Sequence, residues 1–234
     1  MHRLHRAQLF PGARLRYGGG TSWRAVVELP GRTDDGFVAL WGPRAEFGTV
    51  PISDTELHWY GYVPSPAGVR SDDELAATVA HFSGWSPHVR AVLAATGPDR
   101  LLRHDVHHLP GGLPRYVHGR TALIGDAAHA VLPTMGQGAD TSLEDGVCVG
   151  RLVAAPVSAG APLAGALAAF DRARRPRCRR IARRSLQTAR LGAHLGGGWP
   201  QTARNAVLRH VPAGPLAEAG TGVLRWTPPA TTAP

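Results

Sequence analysis

Chemistry concentrates between Gly119 and Asp145, which read GRTALIGDAAHAVLPTMGQGADTSLED. The apolar run Thr121–Ile124 reads as a buried strand that ends in Gly125-Asp126 and places one carboxylate at the mouth of a sheet. Gly136-Gln137-Gly138 then opens a helix expected over about residues 139–153, with Leu143, Val147 and Gly150 on one face. Without a β-carbon at two of three positions, a flat ligand can approach that backbone closely. The free N–H groups and positive dipole of the helix start favour an electron-rich or anionic group. A carboxylate that accepts hydroxyls beside such a start suits a polyhydroxylated ligand bearing an electron-rich ring. Taken singly, Gly-x-Gly is also an ordinary strand–loop–helix turn, and Asp126 is also a helix cap.

Other chemistry-bearing residues are less convergent. In a strand, His104 and His108 share one face and His107 takes the other, which is a poor metal site, and none is expected. His129 is expected to pack or hydrogen-bond within its loop. Trp59, Tyr60 and Tyr62 read as core or cross-strand pairs. Arg172 to Arg184 holds eight arginines in thirteen residues. Its nucleic-acid reading would require steep salt dependence; its plainer reading is a solvated helical face with Pro176 at a junction.

These groups need a scaffold. Ser22–Leu29, Gly36–Leu40, Glu56–Val63 and Leu101–Leu109 read as strands bounded by Gly, Pro and Asp. A helix is expected from the capping box Ser71-Asp-Asp-Glu74, with Leu75, Val79 and Phe82 at apolar spacing. A second is expected from Ser86-Pro87 to Gly97-Pro98. Gly18–Gly20 reads as a turn. Two or three further helices, broken at Pro176 and Gly196–Gly198, should finish the chain before a disordered tail.

The chain has 234 residues, 43% hydrophobic, enough for a sizeable core. Two cysteines exclude a disulfide scaffold. No secretory signal or membrane span is expected, and the chain reads as a cytoplasmic protein. The net charge of +9 is uneven: residues 1–164 carry 14 Arg against 15 acids, whereas residues 165–234 carry 12 Arg against Asp171 and Glu218. All 26 Lys-or-Arg positions are arginine, the pattern a GC-rich coding sequence produces, so the charge is not by itself a sign of function.

The central string resembles the second flavin motif of the FAD-dependent aromatic hydroxylases, the p-hydroxybenzoate hydroxylase-like flavoprotein monooxygenases. Gly125 to His129, Pro133, Gly136 to Gly138 and Glu144-Asp145 all match. Thr21–Arg24, Trp41–Pro51 and Phe170–Arg177 resemble other family segments in the same order. The resemblance implies a mixed α/β (α+β) fold: a substrate-domain β-sheet with helices, then the strand–loop–helix of the second FAD motif and C-terminal helices. It divides the chain into a remnant of the FAD-binding domain (1–14), a substrate-binding sheet domain (15–118), the C-terminal part of the FAD-binding domain (119–194), a helical segment (195–226) and a disordered tail (227–234). By resemblance Gly125, Asp126, Pro133, Gly136, Gln137, Gly138 and Ala139 hold FAD, with Asp126 on the ribityl hydroxyls, Pro133 lining the ring pocket, and the backbone of 136–139 at the pyrimidine edge. The implied activity is NAD(P)H-linked hydroxylation of an aromatic or related small molecule by dioxygen, through a flavin hydroperoxide. No catalytic side chain is nominated.

The family's Gly-x-Gly-x-x-Gly element, which seats the FAD pyrophosphate, has no counterpart in this sequence. The chain is therefore expected to be an N-terminally truncated monooxygenase, inactive alone. The alternatives are a non-catalytic remnant or interaction partner of an intact homologue and, third, an arginine-rich nucleic-acid-binding protein.

Overall fold

The structure, a computed structural model, describes residues 2–29, 36–212, 214, 222–223 and 225–230. In chain order they form α1 (His2–Leu9), β1 (Arg16–Glu28), β2 (Val38–Gly42), β3 (Ala45–Pro51), β4 (Glu56–Pro64), α2 (Glu74–Phe82), α3 (Pro87–Ala94), β5 (Leu102–His108), β6 (Val117–His118) and β7 (Thr121–Ala122). Helices α4 (Asp126–His129), α5 (Gln137–Val149), α6 (Ala155–Ser158), α7 (Leu163–Leu191) and α8 (Trp199–His210) follow. The fold is mixed α/β. It divides into two compact units, the first of residues 1–16, 107–188 and 207–234, the second of 17–106 and 189–206.

The second unit is built on a sheet of order β2-β3-β4-β1-β5. β1 runs antiparallel to β4, with Gly20 opposite Pro64 and Glu28 opposite Glu56. Alternation turns Trp23, Ala25 and Val27 inward with Phe47, Leu57 and Trp59, where Phe82 of α2 and Val89, Val92 and Leu93 of α3 cover them. Phe47 stacks on Trp59 at 5.3 Å and meets Phe82 edge-on, while the Trp59 indole donates to Thr96 Oγ1 at 3.0 Å. Tyr60 donates to the buried Glu46 carboxylate at 2.6 Å.

Several expectations for this unit change. Gly18–Gly20 lies inside β1 rather than in a turn. Gly20 packs beneath Tyr62, and a Cβ there would stand 2.3 Å from the ring. The cap of α2 is Asp73, which accepts from the Ala76 N–H at 2.8 Å; the box survives only as Glu74 accepting from the Ser71 N–H. Val79 is exposed and Thr78 takes the inward position. Ser86 caps α3 as expected.

The first unit gathers Phe10, Leu113, Tyr116, Leu123, Ala128, Cys148, Leu152, Phe170 and Cys178 into its core. Thr121–Ile124 is a strand for two residues only, pairs antiparallel with β6, and leaves Ile124 exposed. α5 passes into a π turn at Gly150–Ala154. Its apolar face points outward: Leu143 is 71% and Val147 40% exposed, whereas Gln137, Thr141, Glu144 and Asp145 are buried. α7 continues through Pro176 for 29 residues and is not broken there. Gly196–Gly198 does separate α7 from α8. Residues 227–230 carry no regular structure, and 231–234 lie outside the described residues.

Candidate functional site

The candidate site is assembled on two helix starts of the first unit. Gly125 precedes α4 with φ 57° and ψ −144°, a backbone state open to glycine but strained for other residues. A Cβ there would also press on the Ser142 hydroxyl at 2.9 Å. The turn exposes the Asp126 carboxylate, which has no partner among the described residues, while the Asp126 carbonyl accepts from the buried Arg6 at 3.0 Å. Pro133 begins a 3-10 turn that ends in Gly136, left-handed at φ 66°, and α5 starts at once.

Pro133, Gly136 and Ala139 are exposed. A Cβ on Gly136 or Gly138 would meet nothing within 4 Å, so this backbone borders open space. The first N–H groups of α5 have no intrahelical acceptor. A flat ring with carbonyl acceptors fits that edge, and a hydroxylated chain fits Asp126. Gln137 behaves differently. Its side chain is buried, its amide donates to Asp140 at 2.8 Å, and its Oε1 has no partner among the described residues.

What joins the two helix starts is a buried ionic clamp. Asp145, on the inward face of α5, accepts the Gly125 N–H at 2.8 Å and bonds His129 Nε2 at 2.6 Å through the same oxygen. Its other oxygen takes Arg174 Nε of α7 at 2.7 Å. Arg174 also reaches Glu144 at 2.7 Å and the Thr141 carbonyl at 3.1 Å. Arg177 closes the chain with a fork onto Glu144 and a bond to the Val223 carbonyl. The Arg174 guanidinium lies 5.6 Å from the centre of the Trp226 ring.

Burial alone would push the Asp145 carboxyl up and the His129 imidazole down. The hydrogen bonds and charges overcome it. His129, the Gly125 N–H and Arg174 hold Asp145 below its ordinary range. Despite burial, the bond to Asp145 and the neighbouring Cys178 raise His129 to about 9. Glu144 is lowered likewise, against its burial, by Arg177 and Arg174. His129, Asp145 and Cys178 approach one another closely enough to suggest a metal. Arg174, however, already occupies Asp145 and lies 3.7 Å from the Cys178 sulfur, so a cation would have to enter against its charge.

Sequence reasoning singled out the loop residues and expected His129 to hydrogen-bond there, but missed that its partner Asp145 is shared with Arg174. Glu144-Asp145 was visible as a motif, but nothing assigned it a partner. Arg174 was hidden among eight similar arginines.

A sequence profile described as FAD binding domain matches residues 22–185. The chain belongs to the FAD-dependent aromatic hydroxylase family. It is 34% identical over 190 residues, 80% of its length, to aurachin C monooxygenase/isomerase of Stigmatella aurantiaca, and covers 48% of that protein. It is 35% identical over 217 residues, 88% of its length, to 2-heptyl-3-hydroxy-4(1H)-quinolone synthase of Pseudomonas aeruginosa, covering 53% of it. Among solved structures it resembles Klebsiella pneumoniae HpxO complexed with FAD and uric acid, with TM-score 0.82 and 26% identity over 94% of this chain and 56% of that one. This hydroxylase-family chain thus spans about half the length of the relatives it matches. No helix among its described residues is long and apolar enough to cross a membrane.

Proposed function

We propose that this chain carries the isoalloxazine-facing part of an FAD-dependent monooxygenase that hydroxylates a small aromatic or related molecule with NAD(P)H as reductant. The observation that carries the reading is the shared Asp145 carboxylate: it ties the Gly125-Asp126 turn to the α5 that begins at Gly136-Gln137-Gly138. In this reading Asp126 accepts hydroxyl protons of the ribityl chain, Pro133 lines the ring pocket, and the backbone of Gly136, Gln137, Gly138 and Ala139 offers N–H donors. Bound FAD supplies electron transfer and oxygen activation; the protein supplies orientation, dryness and electrostatics. The clamp keeps Gly125 in its glycine-only conformation and so keeps Asp126 turned outward.

The sequence contains no Gly-x-Gly-x-x-Gly. Three charge-assisted hydrogen bonds of about 1.5–3 kcal/mol each correspond to three or more decades of affinity. In this reading the residues of this chain are expected to hold FAD weakly by themselves. Titrating FAD into the purified protein and following flavin fluorescence tests the reading. Saturable binding in the micromolar range or weaker is expected, and Asp126→Ala should weaken it about tenfold or more. An unchanged isotherm for Asp126→Ala removes the assignment.

A second reading, an interaction partner of an intact homologue, is favoured by the exposed apolar side chains Ile124, Leu143 and Val147. Co-purification with such a homologue, lost in Leu143→Gln/Val147→Gln, would support it.

A further inference from the structure

The clamp uses Arg174 and Arg177 of α7 but leaves the other arginines between 175 and 184 unexplained. There, Arg175, Arg179, Arg180, Arg183, Arg184 and Gln187, with Pro176, line an open surface recess of about 540 Å³ along one helix. Helical spacing sets Arg175, Arg179 and Arg183 in one row and Arg180 and Arg184 in a second beside it. The first row is partly tethered: Arg175 pairs with Asp171 at 3.3 Å and donates to the Pro114 carbonyl, and Arg179 contacts the Leu113 carbonyl at 3.5 Å. Arg180, Arg183 and Arg184 have no carboxylate or carbonyl partner among the described residues.

Like charges three and four residues apart disfavour a helix, and this stretch places four of them at positions 179, 180, 183 and 184. Asp171 is the nearest acid in the sequence, and it already serves Arg175 and the Tyr116 N–H. No acid of the helix itself is left to offset them, so an added anion would relieve this repulsion. Guanidinium forks match phosphate oxygens in pairs. The lining has no aromatic ring on which bases could stack, as single-stranded nucleic-acid grooves have. Ser185, next after Arg184 but buried on the inward side of α7, accepts from the Thr134 hydroxyl through its carbonyl at 2.7 Å.

From this grouping we infer that the α7 cleft is a binding site for two adjacent phosphate groups, a pyrophosphate unit either free or carried by a dinucleotide. The test is calorimetric titration of the full chain with inorganic pyrophosphate at about 150 mM salt. One-site, saturable binding is expected, weakened at least tenfold in Arg180→Gln/Arg184→Gln. The charge-matched control Arg190→Gln/Arg209→Gln should bind as the parent does. Circular dichroism melts of both variants should be no lower than the parent's, since none of the four arginines is a core residue and the cleft variant also relieves an i,i+4 repulsion. NADPH that competes with pyrophosphate identifies a dinucleotide as the source, and NADPH that does not compete identifies a free polyphosphate. The inference fails if binding does not saturate or if the control variant loses as much as the cleft variant. It fails too if random duplex DNA binds more tightly and displaces pyrophosphate, which would make the arginines a nucleic-acid surface.

Discussion

Asp145 shows how one side chain converts sequence into geometry. It is fully buried, yet it satisfies a backbone N–H, an imidazole and a guanidinium at once. A buried charge survives only when paired in this way, and removing one partner typically costs about 3–5 kcal/mol. The pH dependence follows from His129. Its folded value, about 9, lies above the ordinary 6.5, so the folded state holds a proton that the unfolded state has released between those limits. Stability from this pair is fully present below pH 6.5 and is lost as pH rises through about 9. Urea titrations at pH 6.5 and pH 9 should differ by at most about 3 kcal/mol from this source, and His129→Gln should flatten the slope. At the acid end the sign reverses: the depressed Asp145 contributes above its ordinary range and is lost as pH falls through its folded value.

At the scale of elements, β1, β4, β5, most of β2 and the two central helices were legible because their signals are local, whereas local pattern did not mark β3 and β6 as strands. Turn residues bound the strands, Ser86-Pro87 opens α3, and alternation in Trp23, Ala25 and Val27 selects the core face. The residues of the 125–139 loop were legible as a string for the same reason. What escaped were cases where a distant partner overrules the local pattern. α5 presents Leu143 and Val147 outward because Arg174 and the Gly125 turn require its acidic face inside. Periodicity cannot distinguish a face buried by oil from one buried by ion pairs. α7 likewise ignores Pro176, whose exposed position and flanking salt bridges let the helix continue. A proline inside a helix removes one hydrogen bond and costs about 3 kcal/mol. Pro176→Ala should therefore raise the melting temperature, by roughly 2–4 °C for each kcal/mol recovered; an unchanged or lower melt would show that the proline costs this helix nothing.

At the scale of the whole molecule, two cores are built from non-contiguous pieces of one chain. Phe82→Ala removes a fully buried ring from the second unit and should cost about 3–5 kcal/mol. Hydrogen exchange should quicken across β1, β3, β4, α2 and α3, while amides of 167–181 keep the parent's rates; uniform quickening would mean that the units unfold as one. Charge is equally segregated, with the C-terminal third carrying the excess.

The indole above the Arg174 guanidinium has a practical consequence. Of the six tryptophans, Trp23, Trp41, Trp59, Trp85 and Trp199 fall in the second unit and Trp226 alone in the first. Biosynthetic 5-fluorotryptophan would therefore give a fluorine spectrum in which a single resonance, assignable by Trp226→Phe, watches the ion-pair cluster from one side. Its shift on adding flavin or base would report whether that cluster loosens, without any engineered label.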